Sequence, residues 1–187
     1  EGVPEESRGH ARQIIDEADR IVGQVNGFLS FAKPLEPQTA PVALDPLFAD
    51  LAALVRQEAD DAGVRIEYDA GELAARADAN MLRRALLNLL INALRACAPG
   101  DQVSLWALTE GGGVKIAVTD TGAGIAPEDL ERVREPYFTR FADGTGLGLA
   151  IVEQIAAAHG WRVSLDSAPG KGTVATLAGM EQAGTAA

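Results

Sequence analysis

The feature that most constrains the fold is an apolar helix with two amides on one face. Asp78 is a suitable N-cap, and the pattern that follows it predicts a helix to about Ala98. Residues 86–94 within this helix are apolar except for Asn88 and Asn92. Residues four apart share a helix face, and a buried amide without a partner costs roughly 1–3 kcal/mol. Other elements must therefore cover the helix, and its amides must bond either neighbouring structure or a ligand.

Arg95 lies about one further turn along the same helix. There it either reaches an anionic ligand such as a phosphate or remains a solvated charge. Amide oxygens are also good ligands for Mg²⁺ that keeps some of its waters. From the residues alone, a structural role and a ligand-binding role for this helix face both stay open.

The pattern after residue 45 predicts one α+β unit. Asp45 and Pro46 begin a helix that ends at Gly63, with an apolar face of Leu47, Leu51, Leu54 and Val55. A short helix is predicted near residues 127–133 and a longer one over 147–159. Alternation and turn residues predict strands at 64–68, 103–108, 114–119, 162–166 and 173–177. Helices and hairpins in this order predict a mixed sheet with helices on one face.

An amphipathic helix precedes this unit. Small or apolar residues recur at steps of three and four from Ala11 to Ala32, which is a heptad pattern. The prolines that follow end the helix and predict an extended linker. The helix packs either on its own domain or in a bundle with partner helices. We therefore divide the chain into a helix at 1–33, a Pro-rich linker at 34–44, a folded domain at 45–180 and a disordered tail at 181–187.

Composition narrows the range of partners. The chain has 187 residues, and 16 Lys and Arg against 27 Asp and Glu give a formal net charge of −11. A surface of this sign repels phosphate backbones and anionic lipid, so we expect neither nucleic acid nor a membrane surface as a partner. Cys97 is the only cysteine, which rules out a disulfide within the chain and favours a reducing compartment. No apolar run approaches the roughly 18 residues of a membrane-spanning helix.

Two glycine motifs follow the asparagine helix. The first, DTGAGI at 120–125, comes directly after a predicted strand. A carboxylate there can accept a hydrogen bond from an exocyclic amine, and the glycines let backbone approach a flat ring. The second, GTGLGL at 144–149, precedes a helix, where free backbone N–H groups favour an anion. Each motif alone also fits a plain turn, and a dinucleotide-binding fold is disfavoured because the second does not follow a strand of a βαβ unit.

Taken together, these motifs resemble those of a known family. The Asn88/Asn92 helix, DTGAGI, Phe138 and GTGLGL look like the N, G1, F and G2 boxes of sensor histidine kinases, in the same order and spacing. The resemblance covers residues 45–180 and implies the Bergerat ATP-binding fold, a two-layer α/β sandwich shared with gyrase, mismatch-repair and chaperone ATPases. The heptad helix resembles the second helix of the kinases' dimerisation domain. The stretch EPYFT at 135–139, running into GTGLGL, is most similar to nitrogen-regulation kinases.

The resemblance implies a role for each residue of these motifs. Asp120 would bind the adenine amine, and Asn92 would coordinate Mg²⁺. Asn88 and Arg95 would act at the phosphates as catalytic residues. The other residues expected to bind ATP are Gly122, Gly124, Ile125, Phe138, Gly144, Thr145, Gly146, Leu147 and Gly148.

The resemblance also implies a lid over the nucleotide, from about Ile125 to Thr145. The glycines of the second motif would hinge this lid segment, and Phe138 would pack it. Its basic residues are expected either to neutralise phosphates or to form a solvated face; they are Arg132, Arg134 and Arg140.

One chemical comparison separates the branches of this superfamily. Hydrolytic members and anti-sigma serine kinases place a Glu on the asparagine helix as a general base. Here the residue four before Asn92 is Asn88, and no carboxylate follows Asp78 on the helix. An amide cannot take a proton from water or serine, whereas neutral imidazole is already a nucleophile near pH 7. This favours transfer to histidine; the alternatives are a nucleotide-binding regulatory module without kinase activity and a gyrase-type ATPase.

We therefore expect the C-terminal part of a two-component sensor histidine kinase. The intact protein would be a homodimer that moves the γ-phosphoryl of Mg-ATP to a histidine and then to an aspartate on the receiver domain of a response regulator. We expect this part to be cytoplasmic, and a membrane anchor in the parent protein stays open.

The phosphoacceptor box of such kinases, a His followed by an acidic residue and then by Arg or Asn and Pro, is absent from the chain. His10 is followed by Ala11 and Arg12. His159 closes the last predicted helix, where an imidazole interacts with the helix dipole, so we expect it to be structural. The acceptor helix is therefore expected outside this chain, which should bind ATP without phosphorylating itself.

Overall fold

The computed structural model describes residues 35–141 and 144–184, which form three α-helices, seven strands and one 3-10 turn at Arg132–Arg134. The helices are α1 (Leu44–Ala62), α2 (Ala79–Ala96) and α3 (Gly148–His159). The strands are β1 (Ala40–Ala43), β2 (Arg65–Asp69), β3 (Ala74–Ala77), β4 (Gln102–Glu110), β5 (Gly113–Asp120), β6 (Arg162–Ser167) and β7 (Thr173–Ala183). The heptad helix predicted at 11–32 and His10 lie outside the described residues.

The strands form one mixed sheet, as predicted. Its order is β1-β3-β7-β5-β4-β2, and β6 pairs with β7 beside this path. The β2–β4 pair is parallel, whereas all the other pairs are antiparallel. The register places Asp120, the last residue of β5, opposite Thr173 on β7, and Thr173 opposite Ser167 on β6. These three side chains therefore lie on one face of the sheet.

The core lies between that face and the helices. Val114, Ile116 and Val118 alternate along β5 and are at most 2% exposed, in one cluster with residues of all three helices. Burying such a side chain contributes roughly 1.5–3 kcal/mol each. On the opposite face, Trp106 and Leu108 of β4 are 39% and 44% exposed. Within the described residues, the chain thus folds into an α+β sandwich whose three helices cover one face of the sheet.

Helix α2 begins where its cap residue predicts. The Asp78 carboxylate accepts hydrogen bonds from the backbone N–H groups of Asn80 and Met81, both at 3.1 Å. It also accepts one from the N–H of Gln38 at 3.0 Å, which ties the segment before β1 to the helix start. Asp78 is therefore both an N-cap and a link between segments distant in sequence.

His159 has the structural role that the sequence predicts. Its Nε2 accepts a hydrogen bond from the backbone N–H of Asp78 at 3.1 Å, and its Nδ1 lies 2.9 Å from the Ile155 carbonyl oxygen. Because the backbone N–H can only donate and the carbonyl can only accept, the ring carries its proton on Nδ1. The ring also stacks on Trp161, with centroids 4.0 Å apart. The end of α3 is thereby joined to the start of α2.

Two alanine-rich strands were not expected from the sequence. Residues 40–43 of the predicted linker form β1, which pairs with β3 at the sheet edge. β7 continues to Ala183, where it pairs with Ala74 of β3, so the tail predicted at 181–187 is wrong for residues 181–183. Alanine has low strand propensity and gives no apolar–polar alternation, so these strands depend on pairing partners distant in sequence.

Other boundaries differ in detail. Helix α1 begins at Leu44 with Ala43 at the N-cap position, so Asp45 lies in the first turn instead of capping it. Leu54, predicted on the apolar face, is 63% exposed, and Phe48 is the aromatic residue that α1 buries. Only the 3-10 turn forms where a short helix was predicted near 127–133. Among the described helices, none is long and apolar enough to cross a bilayer.

We expect Asp78→Ala to lower the free energy of unfolding by about 1–2 kcal/mol at pH 7, because N-cap loss leaves backbone donors without an acceptor. Hydrogen bonds from the backbone of Met81, and then from Gln38 and Asn80, lower the pKa of Asp78. A lowered pKa stabilises the fold above the ordinary value for Asp, and this contribution is lost as the pH falls through the lowered pKa. The stability gap between wild type and Asp78→Asn should therefore be constant from about pH 7 to 5 and shrink below about pH 4.

Urea unfolding followed by tryptophan fluorescence measures this gap. Asp166→Asn, on the exposed face of β6, is the matched control and should show no comparable gap at pH 7. A gap for Asp78→Asn that does not change between about pH 7 and 3.5 would contradict the capping role of the carboxylate.

Candidate functional site

The residues predicted for the site meet around one cavity of about 400 Å³. This volume lies in the range of small-molecule sites. The cavity is bounded by α2, the end of β5, the lid segment and the start of α3. The predicted residues that line it are Asn88, Asn92, Arg95, Asp120, Gly124, Ile125, Phe138, Gly144, Thr145, Gly146 and Gly148. Two predicted residues, Gly122 and Leu147, do not line it.

The α2 wall carries the two amides and a basic residue. Asn88 donates a hydrogen bond from Nδ2 to the Arg84 carbonyl oxygen at 2.8 Å, which leaves Oδ1 towards the second glycine motif. A Cβ on Gly148 would lie 3.3 Å from Asn88 Oδ1 and 3.5 Å from Asn92 Nδ2. A side chain at residue 148 would therefore crowd the Asn88 amide and contact that of Asn92. Asn88 thus bonds the helix backbone through Nδ2 and also lines the cavity.

Asp120 provides a buried acid at the base of the cavity. The residue is 5% exposed, and its Oδ1 accepts a hydrogen bond from the Gly122 N–H at 3.0 Å. Burial raises the pKa of Asp120, while the N–H groups of Gly122 and Thr173 counteract part of that shift. A buried carboxylate beside a cavity favours ligands that donate hydrogen bonds.

The first glycine motif is held between α2 and the β6–β7 turn. Gly122 is buried against the end of α2, where a Cβ would overlap the Ala96 carbonyl oxygen. Gly124 has φ +68°, and a Cβ there would overlap the Ala168 carbonyl oxygen. Gly122 therefore shapes the site from behind the cavity, and its neighbour Ala123 bonds the Ala96 carbonyl oxygen at 2.9 Å.

The lid segment is held by ion pairs around Phe138. Arg140 makes a bidentate pair with Asp129, with Nε–Oδ2 at 3.0 Å and Nη2–Oδ1 at 2.9 Å. Asp129 is 7% exposed, and Arg140 lowers its pKa. The Arg132 guanidinium lies 4.4 Å from the centre of the Phe138 ring. Arg134 instead pairs with Glu153 of α3. Of the three lid arginines, only Arg140 lines the cavity.

The second glycine motif contacts the backbone beside Phe138. Tyr137 has φ 71°, which is unusual for a residue with a side chain, and its N–H bonds the Gly146 carbonyl oxygen at 2.9 Å. Gly146 has φ +66°, and a Cβ there would overlap the Tyr137 backbone. Leu147, 3% exposed, belongs to the core and anchors the motif instead of facing the cavity.

Sequence reasoning missed several residues of the site, among them three that make polar contacts. Thr173 and Asp129 line the cavity, and Ser167 bonds both the lid segment and Thr173. The sequence PGKG at 169–172 was interpreted only as a hairpin turn. Its position between two strands that pair beside Asp120 was the signal that could have identified Ser167 and Thr173. For Asp129 no sequence signal exists, because its partner Arg140 lies eleven residues away.

Comparison with known proteins identifies the family of this fold and site. Residues 77–181 match the family model for histidine kinase-, DNA gyrase B-, and HSP90-like ATPases. The chain belongs to this family. The α+β domain described above is accordingly an ATP-binding catalytic domain of the histidine kinase type.

Individual relatives agree with this assignment. The sensor histidine kinase ZraS of Escherichia coli strain K12 is 38% identical over 169 residues, which cover 89% of this chain and 36% of ZraS. The crystal structure of full-length ShkA in complex with AMPPNP has a TM-score of 0.84 at 31% identity, over 98% of this chain and 41% of ShkA. ThkA in complex with the response regulator protein TrrA shares the fold, with a TM-score of 0.75 at 20% identity over 95% of this chain and 52% of that one. The chain spans well under half of ZraS.

We expect Gly146→Ala to weaken ADP binding roughly tenfold, because a Cβ at φ +66° overlaps Tyr137 and displaces the lid segment. Gly170→Ala is the matched control: its φ is +71°, but nothing lies within 4 Å of an added Cβ. It therefore reports backbone strain without the overlap. Calorimetric titration with ADP measures both variants, and wild-type affinity in Gly146→Ala would contradict the contact.

Proposed function

We propose that this chain is the catalytic ATP-binding portion of a two-component sensor histidine kinase, which transfers the γ-phosphoryl of Mg-ATP to a histidine. In the parent protein the phosphoryl group would pass on to an aspartate of a response regulator receiver domain. The supporting observation is one cavity that is lined by Asp120, by both glycine motifs and by the two asparagines of α2, Asn88 and Asn92. Helix α2 itself carries no carboxylate. Each part of that arrangement fits one part of the nucleotide.

The adenine base of the nucleotide fits the part of the cavity that is lined by the buried Asp120. Asp120 would accept a hydrogen bond from the adenine amine, which compensates the burial of the carboxylate. Gly124, where a Cβ would overlap the Ala168 carbonyl oxygen, would hold the first glycine motif against the β6–β7 turn beside the ring. Ile125, half-buried beside it, would cover one side of the base.

The triphosphate fits the part of the cavity that is lined by the second glycine motif. The second glycine motif runs into the N-terminus of α3, where backbone N–H groups and the helix dipole attract anions. Arg95 would contact the phosphates from α2, and Arg140 would do so from the lid segment. Phosphoryl transfer depends chiefly on positioning and on screening of charge, which these groups would supply.

Mg²⁺ fits the amide wall when it is bound together with the nucleotide. The Asn92 amide oxygen would be its protein ligand, with Asn88 Oδ1 nearby. Among the described residues, no group of three or more His, Cys, Asp or Glu could hold a metal. The ion would therefore keep waters and take its other ligands from the phosphates, whose charge it would neutralise.

The absence of a carboxylate on α2 favours histidine as the acceptor. In the transfer, an imidazole nitrogen would form a bond to the γ-phosphorus while the bond to the β–γ bridging oxygen breaks and ADP leaves. The neutral imidazole needs no base on α2, whereas water or a serine hydroxyl would. A gyrase-type ATPase and a regulatory module without kinase activity remain the alternatives that experiment must exclude.

The proposed partners follow from this role. A response regulator receiver domain would receive the phosphoryl group; ThkA, which shares the fold, has been crystallised in complex with the response regulator protein TrrA. The parent protein would be a homodimer, with this portion in the cytoplasm. From the net charge of −11 we expect neither nucleic acid nor a membrane surface among its partners.

We expect Asp120→Asn to weaken ADP binding at least about tenfold, because the amide NH₂ would face the adenine amine. Because burial raises the pKa of Asp120, protonation should weaken wild-type binding at a higher pH than an ordinary Asp would allow. The affinity should fall as the pH drops through that raised pKa, and Asp120→Asn should lose this dependence. Calorimetry against pH measures both; equal pH profiles for the two proteins would contradict the role of Asp120.

Asn92→Ala tests the metal ligand. Mg²⁺ should strengthen wild-type binding of a non-hydrolysable ATP analogue, and it should have little effect in Asn92→Ala. Asn80→Ala, on the exposed first turn of α2, is the matched control and should keep the Mg²⁺ effect. An unchanged Mg²⁺ effect in Asn92→Ala would assign the ion to other groups.

Transfer to a histidine is tested by supplying the acceptor in trans. The full chain, incubated with radiolabelled ATP, Mg²⁺ and a dimerisation-domain protein that carries a phosphoacceptor histidine, should label that protein and not itself. The label should be acid-labile and absent when the acceptor histidine is replaced by Gln. Steady phosphate release without transfer, abolished in Asn88→Ala, would support the gyrase-type ATPase instead, and tight binding with neither activity would support the regulatory module.

A further inference from the structure

Ser167 is the centre of a hydroxyl network beside the cavity. Its Oγ accepts a hydrogen bond from the Ile125 N–H at 2.8 Å, at the first residue of the lid segment. It donates to the Gly172 carbonyl oxygen at 2.8 Å. It also lies 2.9 Å from Thr173 Oγ1. One half-buried hydroxyl therefore joins β6, the β6–β7 turn, β7 and the lid segment.

The proton of each hydroxyl can be assigned from these contacts. A carbonyl oxygen can only accept, so the single hydrogen of Ser167 Oγ goes to Gly172. In the 2.9 Å contact Thr173 must then be the donor. Its hydrogen is directed to Ser167, and Thr173 Oγ1 offers only lone pairs to any other group. The network thus makes the Thr173 hydroxyl, which could otherwise donate or accept a hydrogen bond, an acceptor towards the cavity.

This acceptor lies next to the buried acid. Thr173 is opposite Asp120 in the β5–β7 register, and both residues line the cavity. This wall therefore presents two hydrogen-bond acceptors side by side. An exocyclic amine on a base carries two N–H groups, whereas a carbonyl oxygen in the same place carries only lone pairs.

We propose that Ser167 is a specificity-determining positioning residue: it holds Thr173 Oγ1 as an acceptor, so that the wall formed with Asp120 selects a base with an exocyclic amine and rejects a base with a carbonyl there. The inference rests on the proposed nucleotide site and adds a residue that acts on the base through another side chain. Without the Ser167 hydroxyl, Thr173 is free to rotate and donate to a carbonyl oxygen.

The test compares ADP with inosine diphosphate, in which a carbonyl oxygen replaces the exocyclic amine and the adjacent ring nitrogen N1 carries a hydrogen. Both are measured with the full chain and Mg²⁺, by displacement of a fluorescent ADP analogue. In Ser167→Ala the ratio of the inosine diphosphate Kd to the ADP Kd should fall roughly three- to tenfold. This fall corresponds to the net contribution of about one hydrogen bond to the binding free energy. Loss of the Ile125 contact weakens both ligands alike and leaves the ratio unchanged. A merely structural role therefore does not move this readout.

Two variants at serine positions calibrate the result. Ser167→Thr keeps the hydroxyl and should keep the wild-type ratio. Ser164→Ala makes the same substitution three residues earlier on β6, on the exposed face, and should also keep it. The proposal would be overturned if the Kd ratio of Ser167→Ala stayed at the wild-type value or rose. It would also be overturned if the ratio fell equally in Ser167→Ala and Ser164→Ala.

Thr173→Val gives an independent test should Ser167→Ala fail to fold. Valine matches threonine in shape and favours strands, and it removes the second acceptor. The ratio should again fall, and adding Ser167→Ala to Thr173→Val should not lower it further, because Ser167 acts through Thr173. An unchanged ratio in Thr173→Val, or an additional fall in the double variant, would overturn the proposal. Failure of the wild-type chain to bind ADP would instead overturn the proposed function itself.

Discussion

The arrangement of the site depends on how firmly α2 is held at both ends. Its start is joined to the end of α3 through the hydrogen bond between the Asp78 N–H and His159. Its end is joined to the first glycine motif, where Ala123 bonds the Ala96 carbonyl oxygen and Gly122 leaves no room for a side chain. Between these points the apolar face packs into the core, so the amide face has one orientation. Fold stability and site geometry are therefore set by the same contacts.

The lining of the cavity combines hydrogen-bond acceptors with cations. Asp120 and Thr173 provide acceptors, whereas the exposed residues Arg95 and Arg140 carry positive charge, and that of Arg140 is paired with Asp129. The chain as a whole carries −11, so these cations are a local exception on an acidic surface. A nucleotide carries the complementary groups: an amine donor on its base and negative charge on its phosphates. Electrostatic attraction would therefore orient the ligand as it approaches, before short-range contacts form.

Features that depend on residues near one another in sequence were predictable. The cap at Asp78, the two glycine motifs and the ends of α1 and α3 at Gly63 and Gly160 are all local patterns. Features formed by pairing across long separations were not. Strands β1 and β3 consist mostly of alanine and exist because β7 extends to meet them, and the Asp129–Arg140 and Ser167–Thr173 contacts need the folded lid segment and turn.

The described part of the lid segment is held by contacts within itself as well as by contacts to the rest of the domain. Asp129, Arg140, Arg132 and Phe138 hold one another, and the ion pair between Arg134 and Glu153 is a tie to α3. A segment of this kind can detach as a cooperative unit while the sheet and α2 stay intact. Its amide hydrogens would then exchange with solvent through a sub-global opening whose free energy is well below that of global unfolding. Binding of a ligand would therefore slow the exchange of amide hydrogens in the lid segment and leave exchange elsewhere in the domain unchanged.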